Sequence, residues 1–291
     1  LKWEPKVHGT GDGSVRLGYK GDVTNTNLSY NGYIYPYYSD VTEDKRYGDS
    51  YGSLLRTVNE SKGRWAGHQI MLSEDVRISE SDVLGAIAKV NLNRSGNNAP
   101  NTAMIDDFRK FDDAEPYSSM ASRASETTGT RQYSANINYT HTFDESLSQE
   151  LTVNADYNHT RSDASNLQRN LYTALSPAAQ TERDASLAAG LADPFLGNGL
   201  NDSTFRRANI WSLKVDFAQN LWSNTGRVEA GAKAAVSITD NRYSTYKWTP
   251  PTPEEQVGEL SARNDFTYSE QIYALYANLS KAFSEKWNAQ V

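Results

Sequence analysis

The chain of 291 residues carries a formal net charge of −7, with 29 Lys and Arg against 36 Asp and Glu. It therefore lacks the basic excess of a nucleic-acid-binding protein. Cysteine is absent, which excludes a disulfide framework, a thiolate metal site and a cysteine nucleophile. No stretch approaches 18 consecutive apolar residues, so we expect no transmembrane helix, and the first residues, LKWEPKVHGTGDG, contain no apolar signal segment.

Apolar and polar residues alternate along the chain with the period of two that is typical of a β-strand. In RQYSANINYTHTF (131–143), Tyr133 and Ile137 alternate with Ser134 and Asn138. The other alternating segments, in chain order, are SVRLGYK, TNLSYNGYIY, HQIMLSEDVRI, VLGAIAKVNLN, QELTVNADYN, NIWSLKVDFAQNLW, RVEAGAKAAVSIT and QIYALYANLSKAF, with a last strand that ends at Val291. Short polar turns join them in pairs, which predicts about ten strands in five hairpins.

The connections between hairpins are expected to be long loops, because they are rich in Asn, Asp, Ser, Thr, Gly and Pro. They cover residues 39–66, 95–130, 162–206 and 241–264. A strict alternation of short turns and long loops is typical of outer-membrane barrels, which have short periplasmic turns and long external loops. The predicted strands also reach the 9–11 residues that a tilted bilayer crossing needs.

One long connection, SPAAQTERDASLAAGLADP, has the signals of a helix. Ser176 is a candidate N-cap, Pro177 occupies the first helical position and Gly190 is a stop signal. Whether this helix lies on the surface or in the pore is left open.

These patterns predict an all-β fold, an antiparallel up-and-down meander of about ten long strands that forms part of a transmembrane β-barrel. Residues 1–291 are expected to form a single partial β-barrel domain. The polar face of each strand is predicted to look into a lumen and the apolar face into lipid. The alternative is a soluble β-sandwich that binds carbohydrate, in which the apolar face looks into a core.

Candidate metal and catalytic groups are weak. With Phe143 opposite Leu151, His141 would face residue 153, and His159 would lie ~20 Å further along, which argues against a shared metal. An acidic cluster is formed by Asp106, Asp107, Asp112, Asp113 and Glu115. Carboxylates are calcium ligands, but this cluster lacks the EF-hand spacing. The mid-strand carboxylates Asp156, Asp216 and Glu229 lack any nucleophile signature. We therefore expect no enzyme activity, no metal and no cofactor.

Two further segments leave alternatives open. Tyr33, Tyr35, Tyr37 and Tyr38 in YIYPYY are compatible with a platform for sugars or with an aromatic girdle at the membrane surface. WTPPTPEEQ (248–256) indicates an extended proline-rich loop.

The last part of the chain resembles the barrel of TonB-dependent outer-membrane receptors, in their "outer membrane β-barrel" branch. The resemblance is carried by VEAGAKAAVSITDNRYSTYKW and NDFTYSEQIYALYANLSKAFSEKWNAQV. The residues at the recurring positions are Gly231, Ala232, Lys233, Asn264, Phe266, Tyr273, Tyr276, Lys286 and Trp287. HQIMLSEDVRISESDVLGAIAKVNL resembles an earlier hairpin of the same barrels.

The resemblance implies energy-dependent import of a scarce nutrient through a large barrel with an internal plug, in the outer membrane of a Gram-negative bacterium. The chain shows neither a plug sequence nor an energy-coupling box, and ten strands are fewer than the 22 of such transporters. We therefore expect an internal piece of a receptor barrel. Its expected partners are outer-membrane lipid, a small nutrient ligand of unknown identity and, only through a plug, an inner-membrane energy-coupling complex. A small passive or structural outer-membrane barrel is the other membrane alternative.

Overall fold

The structure is a computed structural model that describes residues 10–47, 53–107, 116–146, 148–223, 225–248, 259–284 and 286–291. These residues form one antiparallel sheet in which each strand pairs with its neighbours in chain order. The strands are β1 (Gly11–Lys20), β2 (Thr24–Tyr47), β3 (Ser53–Arg77), β4 (Asp82–Asp107), β5 (Pro116–Asp144), β6 (Gln149–Ala174), β7 (Asn198–Leu221), β8 (Gly226–Trp248), β9 (Glu259–Ser284) and β10 (Trp287–Gln290). The predicted ten-strand meander is confirmed.

The prediction of four long loops is wrong for most of their residues, because the strands continue through them. β5, for example, has 29 residues and takes in most of the second half of the expected loop 95–130. Asn, Ser, Thr and Gly have low strand propensity, which is why these segments resemble loops. A strand that is paired on both sides needs no apolar alternation where both of its faces meet water, since its backbone groups are satisfied by the neighbouring strands.

The two ends of the sheet nevertheless differ as predicted. The short connections 21–23, 78–81, 145–148, 222–225 and 285–286 all lie at one end. At the other end, consecutive strands are separated in sequence by 5, 8, 23 and 10 residues, and residues 175–197 are the connection that the structure describes there. By the rule for outer-membrane barrels, the short turns face the periplasm and the other end faces the exterior.

The described residues contain no layered hydrophobic core. Ala179 and Ala218 are the hydrophobic residues that are buried among them, while large side chains such as Leu275 and Tyr273 are 87% and 72% exposed. A β-sandwich needs a second sheet over the apolar face of the first. The single sheet seen here contradicts the predicted sandwich alternative.

The sheet is open. β1 pairs with β2 and β10 pairs with β9, and within the described part of the chain neither makes a second pairing. The closure of first and last strands that would have favoured a small complete barrel is therefore not observed.

The predicted helix is confirmed as α1 (Pro177–Ala188). The Oγ of Ser176 accepts a hydrogen bond from the backbone N–H of Ala179 at 3.1 Å, and Gly190 has the positive φ of 71° that favours glycine after a helix. The helix contacts the ends of β5 and β6, on the exterior side. Among the described residues, no helix has the length and apolar character that a membrane crossing requires.

Candidate functional site

The register of the sheet sorts its side chains onto two faces of opposite character. We call the apolar face the one that carries a row of directly paired apolar residues, Ala86, Ile137, Ala155, Leu213 and Ala234. We call the polar face the one that carries the adjacent paired row, Asn138, Asn154, Lys214 and Lys233. The predicted alternation thus extends across the sheet as continuous surfaces and not only along single strands.

The apolar stretch has the height of a membrane. On β5 it runs from Phe143, beside the turn, to Tyr133, which is ~34 Å along the strand at the usual rise per residue. In a barrel whose strands tilt by about 45°, this corresponds to ~24 Å along the membrane normal, close to the apolar band of about 25 Å in outer-membrane barrels. Beyond Tyr133, Arg131 begins a polar continuation.

The register of the sheet also indicates how far the strands tilt from the membrane normal. The last aliphatic residue of the apolar stretch on β9 is Leu275, which is in register, strand by strand, with Thr24 on β2. On β2 the stretch ends ten residues further on, at Ile34. The end of the apolar stretch therefore shifts by ten residues over seven strands, which is ~4.8 Å along the strand for each step to the next strand. The distance between neighbouring strands is also about 4.8 Å. The edge of the apolar stretch lies at constant membrane depth only if the strands tilt by about 45°.

Aromatic residues mark both edges of this apolar stretch. At the exterior edge, Tyr157 and Trp211 are paired across β6 and β7 with ring centroids 5.5 Å apart, and Tyr133 lies 5.9 Å from the ring of His159. Near the turns, Tyr19, Phe143 and Phe283 are exposed. Aromatic girdles at the two interfaces are typical of membrane barrels.

The polar face carries a network of hydrogen-bonded side chains level with the exterior part of the apolar stretch. Asp156 accepts a bond from Asn136 Nδ2 at 2.7 Å and from Ser212 Oγ at 3.0 Å. One row nearer the turns, Asn138 Nδ2 donates to Asn154 Oδ1 at 2.6 Å. These contacts join β5, β6 and β7 and leave amide, hydroxyl and carboxylate groups along the lumen side.

A charged cluster lies on the same face closer to the turns. Lys214 Nζ is 2.8 Å from Asp216 Oδ2, and Arg227 pairs with Glu229 at 2.7 Å. Arg227 also lies 3.8 Å from Glu150. Asp216 Oδ1 is buried and has no hydrogen-bond partner among the described residues.

The carboxylates considered as acid or base groups therefore sit in structural contacts. Asp156 is held by an amide and a hydroxyl, Asp216 by Lys214, and Glu229 by Arg227. We find no group of His, Asp and Glu that could hold a metal within the described ranges.

The two strand histidines are further apart than the sequence indicated. His141 is opposite Leu151, not residue 153. A bulge between Thr142 and Asp144 accounts for one residue of this shift, because Asp144 pairs with Gln149 and Thr142 with Glu150. His141 Nδ1 lies 2.7 Å from Asp82, whereas His159 Nδ1 lies 2.7 Å from Asn209. The register prediction was wrong by two residues, and each ring has its own partner on a different strand.

An aromatic cluster occupies the exterior half of the polar face. The alternation of side chains along β2 places the four tyrosines of YIYPYY on different faces of the sheet. Tyr33, Tyr35 and Tyr37 lie on the polar face, whereas Tyr38 lies on the apolar face. Tyr33 and Tyr35 stack at 5.3 Å, and Tyr37 lies 5.5 Å from the Trp65 ring. Three of the four are thus on the lumen side, which a girdle does not explain.

The cluster depends on two glycines in β3. Tyr37 is directly paired with Gly63 and Tyr33 with Gly67, and a Cβ at either glycine would lie 2.3–2.6 Å from the facing ring. Trp65 was not singled out from the sequence. The sequence signal was the alternation Gly63, Trp65, Gly67. It places an aromatic residue between two glycines, each of which is paired with a tyrosine of the neighbouring strand.

The residues that carry the family resemblance form a similar contact. Gly231 is directly paired with Tyr276, whose ring atoms would lie 2.5–2.6 Å from a Cβ at that glycine. The segment WTPPTPEEQ lies outside the described residues except for its first residue. The same holds for Asp112, Asp113 and Glu115 of the acidic cluster, while Asp106 and Asp107 end β4.

Residues 146–291, half of the chain, match the outer membrane protein beta-barrel family. The chain belongs to this family, and its location is the outer membrane of a Gram-negative bacterium. No curated protein matches the chain.

Among solved structures, the chain is similar to the ferric-catecholate import receptor Fiu of E. coli K12 in its closed form. The identity is 10%, the TM-score is 0.32, and the match covers 97% of this chain and 47% of the receptor. The open form of the same receptor matches at 7% identity and a TM-score of 0.14, over 95% and 66% of the two chains. OccK7 (OpdD) of Pseudomonas aeruginosa matches at 8% identity and a TM-score of 0.09, over 92% and 98%. The chain spans about half the length of the closed-form receptor, and its fold assignment rests on the family match and the strand arrangement.

Proposed function

We propose that the chain is the barrel portion of a TonB-dependent receptor that takes up a scarce nutrient across the outer membrane. The ligand would be a siderophore, an oligosaccharide or a peptide. An inner-membrane energy-coupling complex would act on it only through a plug inside the barrel. The resemblance of residues 228–291 to such receptors, with Gly231 beneath Tyr276, supports this proposal.

The observation that carries the proposal is the graded order of groups along the polar face. From the turns towards the exterior, the wall carries the charged cluster around Asp216, then the amide and carboxylate network around Asp156, then the aromatic cluster around Tyr35. Fixed charges and amides suit contact with a folded polypeptide in the lumen, because each can pair with a backbone or side-chain group. Aromatic rings at the exterior mouth suit capture of a ligand with planar or sugar rings.

A passive outer-membrane pore shares the polar wall and is the second candidate. It differs in what the wall has to do, since a water-filled channel needs polarity but no exterior aromatic cluster. Tyr33, Tyr35, Tyr37 and Trp65 therefore favour the receptor. Catalysis is not part of the proposal, because Asp156, Asp216 and Glu229 are each held by neighbouring polar groups.

Uptake in the native host would separate the two candidates. The gene would be deleted, and uptake of labelled ferric siderophores, maltodextrins and oligopeptides would be measured with and without a protonophore. A receptor is expected to lose uptake of one ligand class, and that uptake should be abolished by the protonophore in wild-type cells. A general decrease for small solutes that is insensitive to the protonophore would instead identify a passive pore.

The aromatic cluster offers a matched pair of variants for the same assay. Trp65→Ala removes a ring from the polar face, whereas Tyr38→Ala removes one from the apolar face of the neighbouring strand. The receptor proposal expects uptake to fall with the first variant at least about fivefold more than with the second, as a loss of about 1–3 kcal/mol per stacked ring would give.

A further inference from the structure

An arginine band lies on the apolar face immediately beyond the exterior end of the apolar stretch. Each of five consecutive strands, β3 to β7, carries one of its members. They are Arg64, Arg94, Arg131, Arg161 and Arg207. On β3, β4 and β5 the arginine is the first outward residue after the stretch, following Ala66, Leu92 and Tyr133; on β6 and β7 one further residue intervenes.

The arginines of the band differ in whether a carboxylate neutralises their charge. Arg161 makes two hydrogen bonds to Asp163, at 2.9 and 3.1 Å, and Arg207 lies 2.6 Å from Asp240. Arg64, Arg94 and Arg131 have no carboxylate partner within the part of the chain that the structure describes. Lys62, two residues from Arg64 on the same face, lies over the ring of Tyr38 at 5.4 Å and adds a fourth positive charge.

The three unpaired arginines form a diagonal that follows the tilt of the strands. Arg64 is directly paired with Gly96 and Arg131 with Leu92, so Arg94 lies two residues from each of those partners. Diagonal neighbours of this kind are about 7–8 Å apart. Because the apolar stretch rises in the same direction from β5 to β3, the three guanidinium groups lie at similar depth along the membrane normal.

Glycines paired with these arginines leave the space between the three guanidinium groups open. Arg94 is paired with Gly129, where a Cβ would have no heavy atom within 4 Å, and Arg64 with Gly96, where the nearest would be 3.8 Å away. Lys62, Arg64 and Arg94 border a shallow concavity of 570 Å³ whose wall also includes Gly96 and, from a strand position on the polar face, Glu126. A headgroup can therefore reach the guanidinium groups without displacing a side chain.

This position and chemistry specify one kind of occupant. Three adjacent positive charges repel each other unless an anion lies between them, and arginine binds phosphate through paired N–H donors. The apolar stretch directly below is covered by acyl chains in the outer membrane, so the anion at this depth belongs to a lipid headgroup. We propose that Arg64, Arg94 and Arg131 form a binding site for the phosphate groups of a phosphorylated glycolipid in the external leaflet.

The test uses the full chain folded in a zwitterionic detergent, with diphosphorylated lipid A as the probe and native mass spectrometry as the readout. The double variant R94Q/R131Q is expected to lower the affinity for lipid A about tenfold or more, since it removes two charge-assisted contacts. The control R207Q/R263Q removes two arginines from the same face that are already paired with Asp240 and Asp265. It should change the affinity less than about twofold, as for charges that are already neutralised.

Folding is checked by circular dichroism, and R64Q replaces R94Q/R131Q if the double variant does not fold. Dephosphorylated lipid A should bind at least tenfold more weakly than the diphosphorylated form, and millimolar inorganic phosphate should not displace the lipid fully. Equal losses from the two double variants would show that only net charge matters and would overturn the site. Equal binding of dephosphorylated lipid A, or full displacement by inorganic phosphate, would overturn the assignment to a phosphorylated lipid.

Discussion

The two faces of β5 to β7 share one backbone but are held in different ways. On the polar face, Asn136, Asp156 and Ser212 bond to each other across three strands. On the apolar face, Ile137 and Leu213 remain 54% and 49% exposed although they belong to a continuous paired row. The polar face thus completes many of its interactions within the sheet, whereas the apolar face requires an external apolar phase.

This contrast shows what the period of two encodes in this family. Alternate residues of each strand suit lipid on one face and water on the other. The register of the sheet aligns residues of the same kind on neighbouring strands, so each face is continuous. Lipid needs no complementary shape, so the apolar face tolerates a run of small residues such as Ala230, Ala232 and Ala234. Water and protein groups need directed partners, so the polar face carries side chains with defined hydrogen-bond geometry.

The largest expected effect comes from a charge at the centre of the apolar face. Ile137→Lys places an ammonium group near mid-depth of the apolar stretch on β5, where lysine destabilises barrels by about 2–4 kcal/mol. Asn136→Lys places the same group one residue away on the polar face, beside Asp156, and should change the free energy of unfolding by less than about 1 kcal/mol. Urea unfolding of both variants in phosphatidylcholine vesicles measures the difference. Equal effects would contradict the assignment of the two faces.

A steric change on the polar face should have the next largest effect. Gly231→Val puts a branched side chain where a Cβ alone would lie 2.5 Å from the Tyr276 ring, so we expect a loss of about 1–3 kcal/mol from overpacking. The same substitution made together with Tyr276→Ala should cost much less, because the ring is gone. The double-mutant cycle, followed by urea unfolding, isolates this contact. A purely additive result would show that the glycine is required for another reason.

The strands of the membrane-spanning half were predictable from the sequence and their exterior continuations were not, although helix α1 on the exterior side was predicted from its capping residues. Near the turns, alternation in segments such as residues 131–143 reflects the contrast of lipid and lumen, and it located the hairpins and both faces. Beyond the apolar stretch both faces are wet, so the pattern disappears although the strands continue. The bulge at Thr142 and Asp144 also lacked a sequence signal, and it accounts for one of the two residues by which the predicted register of His141 was wrong.

The candidate sites were predictable to different degrees for the same reason. The tyrosines of YIYPYY stood out by composition, but only the register placed Tyr33, Tyr35 and Tyr37 with Trp65 on one face. The arginine diagonal was invisible along the chain, because Arg64, Arg94 and Arg131 are far apart in sequence. Such sites depend on cross-strand pairing, which a single sequence does not specify.

A smaller effect is expected from the polar network itself. Asp156→Ala leaves Asn136 Nδ2 and Ser212 Oγ without their shared acceptor, and since water can replace it in the lumen we expect a loss of about 1 kcal/mol. Asp156→Asn keeps one acceptor oxygen and should lose about half as much or less. Unfolding midpoints in urea compare the two. If the amide variant were as destabilised as the alanine variant, charge and not hydrogen bonding would hold the network.

The smallest effect concerns the exterior connection that follows α1, which touches the sheet through the rings of Phe195 and Tyr117, 6.3 Å apart. The backbone N–H of Phe195 donates to Asp193 at 2.9 Å and Arg183 Nε lies 2.8 Å away, and together they hold the pKa of Asp193 below its usual value of 3.8. A lowered pKa means that the folded state binds the proton more weakly than the unfolded state. The stabilisation is therefore complete above the usual pKa and is lost as the pH falls below it.

Hydrogen exchange of residues 190–197 should accordingly become faster as the pH is lowered through this range, after correction for the intrinsic pH dependence of exchange. Asp193→Asn removes the titrating group and should abolish this additional change. Asp184→Asn, which alters a neighbouring carboxylate without those partners, should retain it. Protection that is independent of pH in the wild-type chain would show that this connection is held by the cap at Ser176 and its contacts to β5, and not by the Arg183–Asp193 pair.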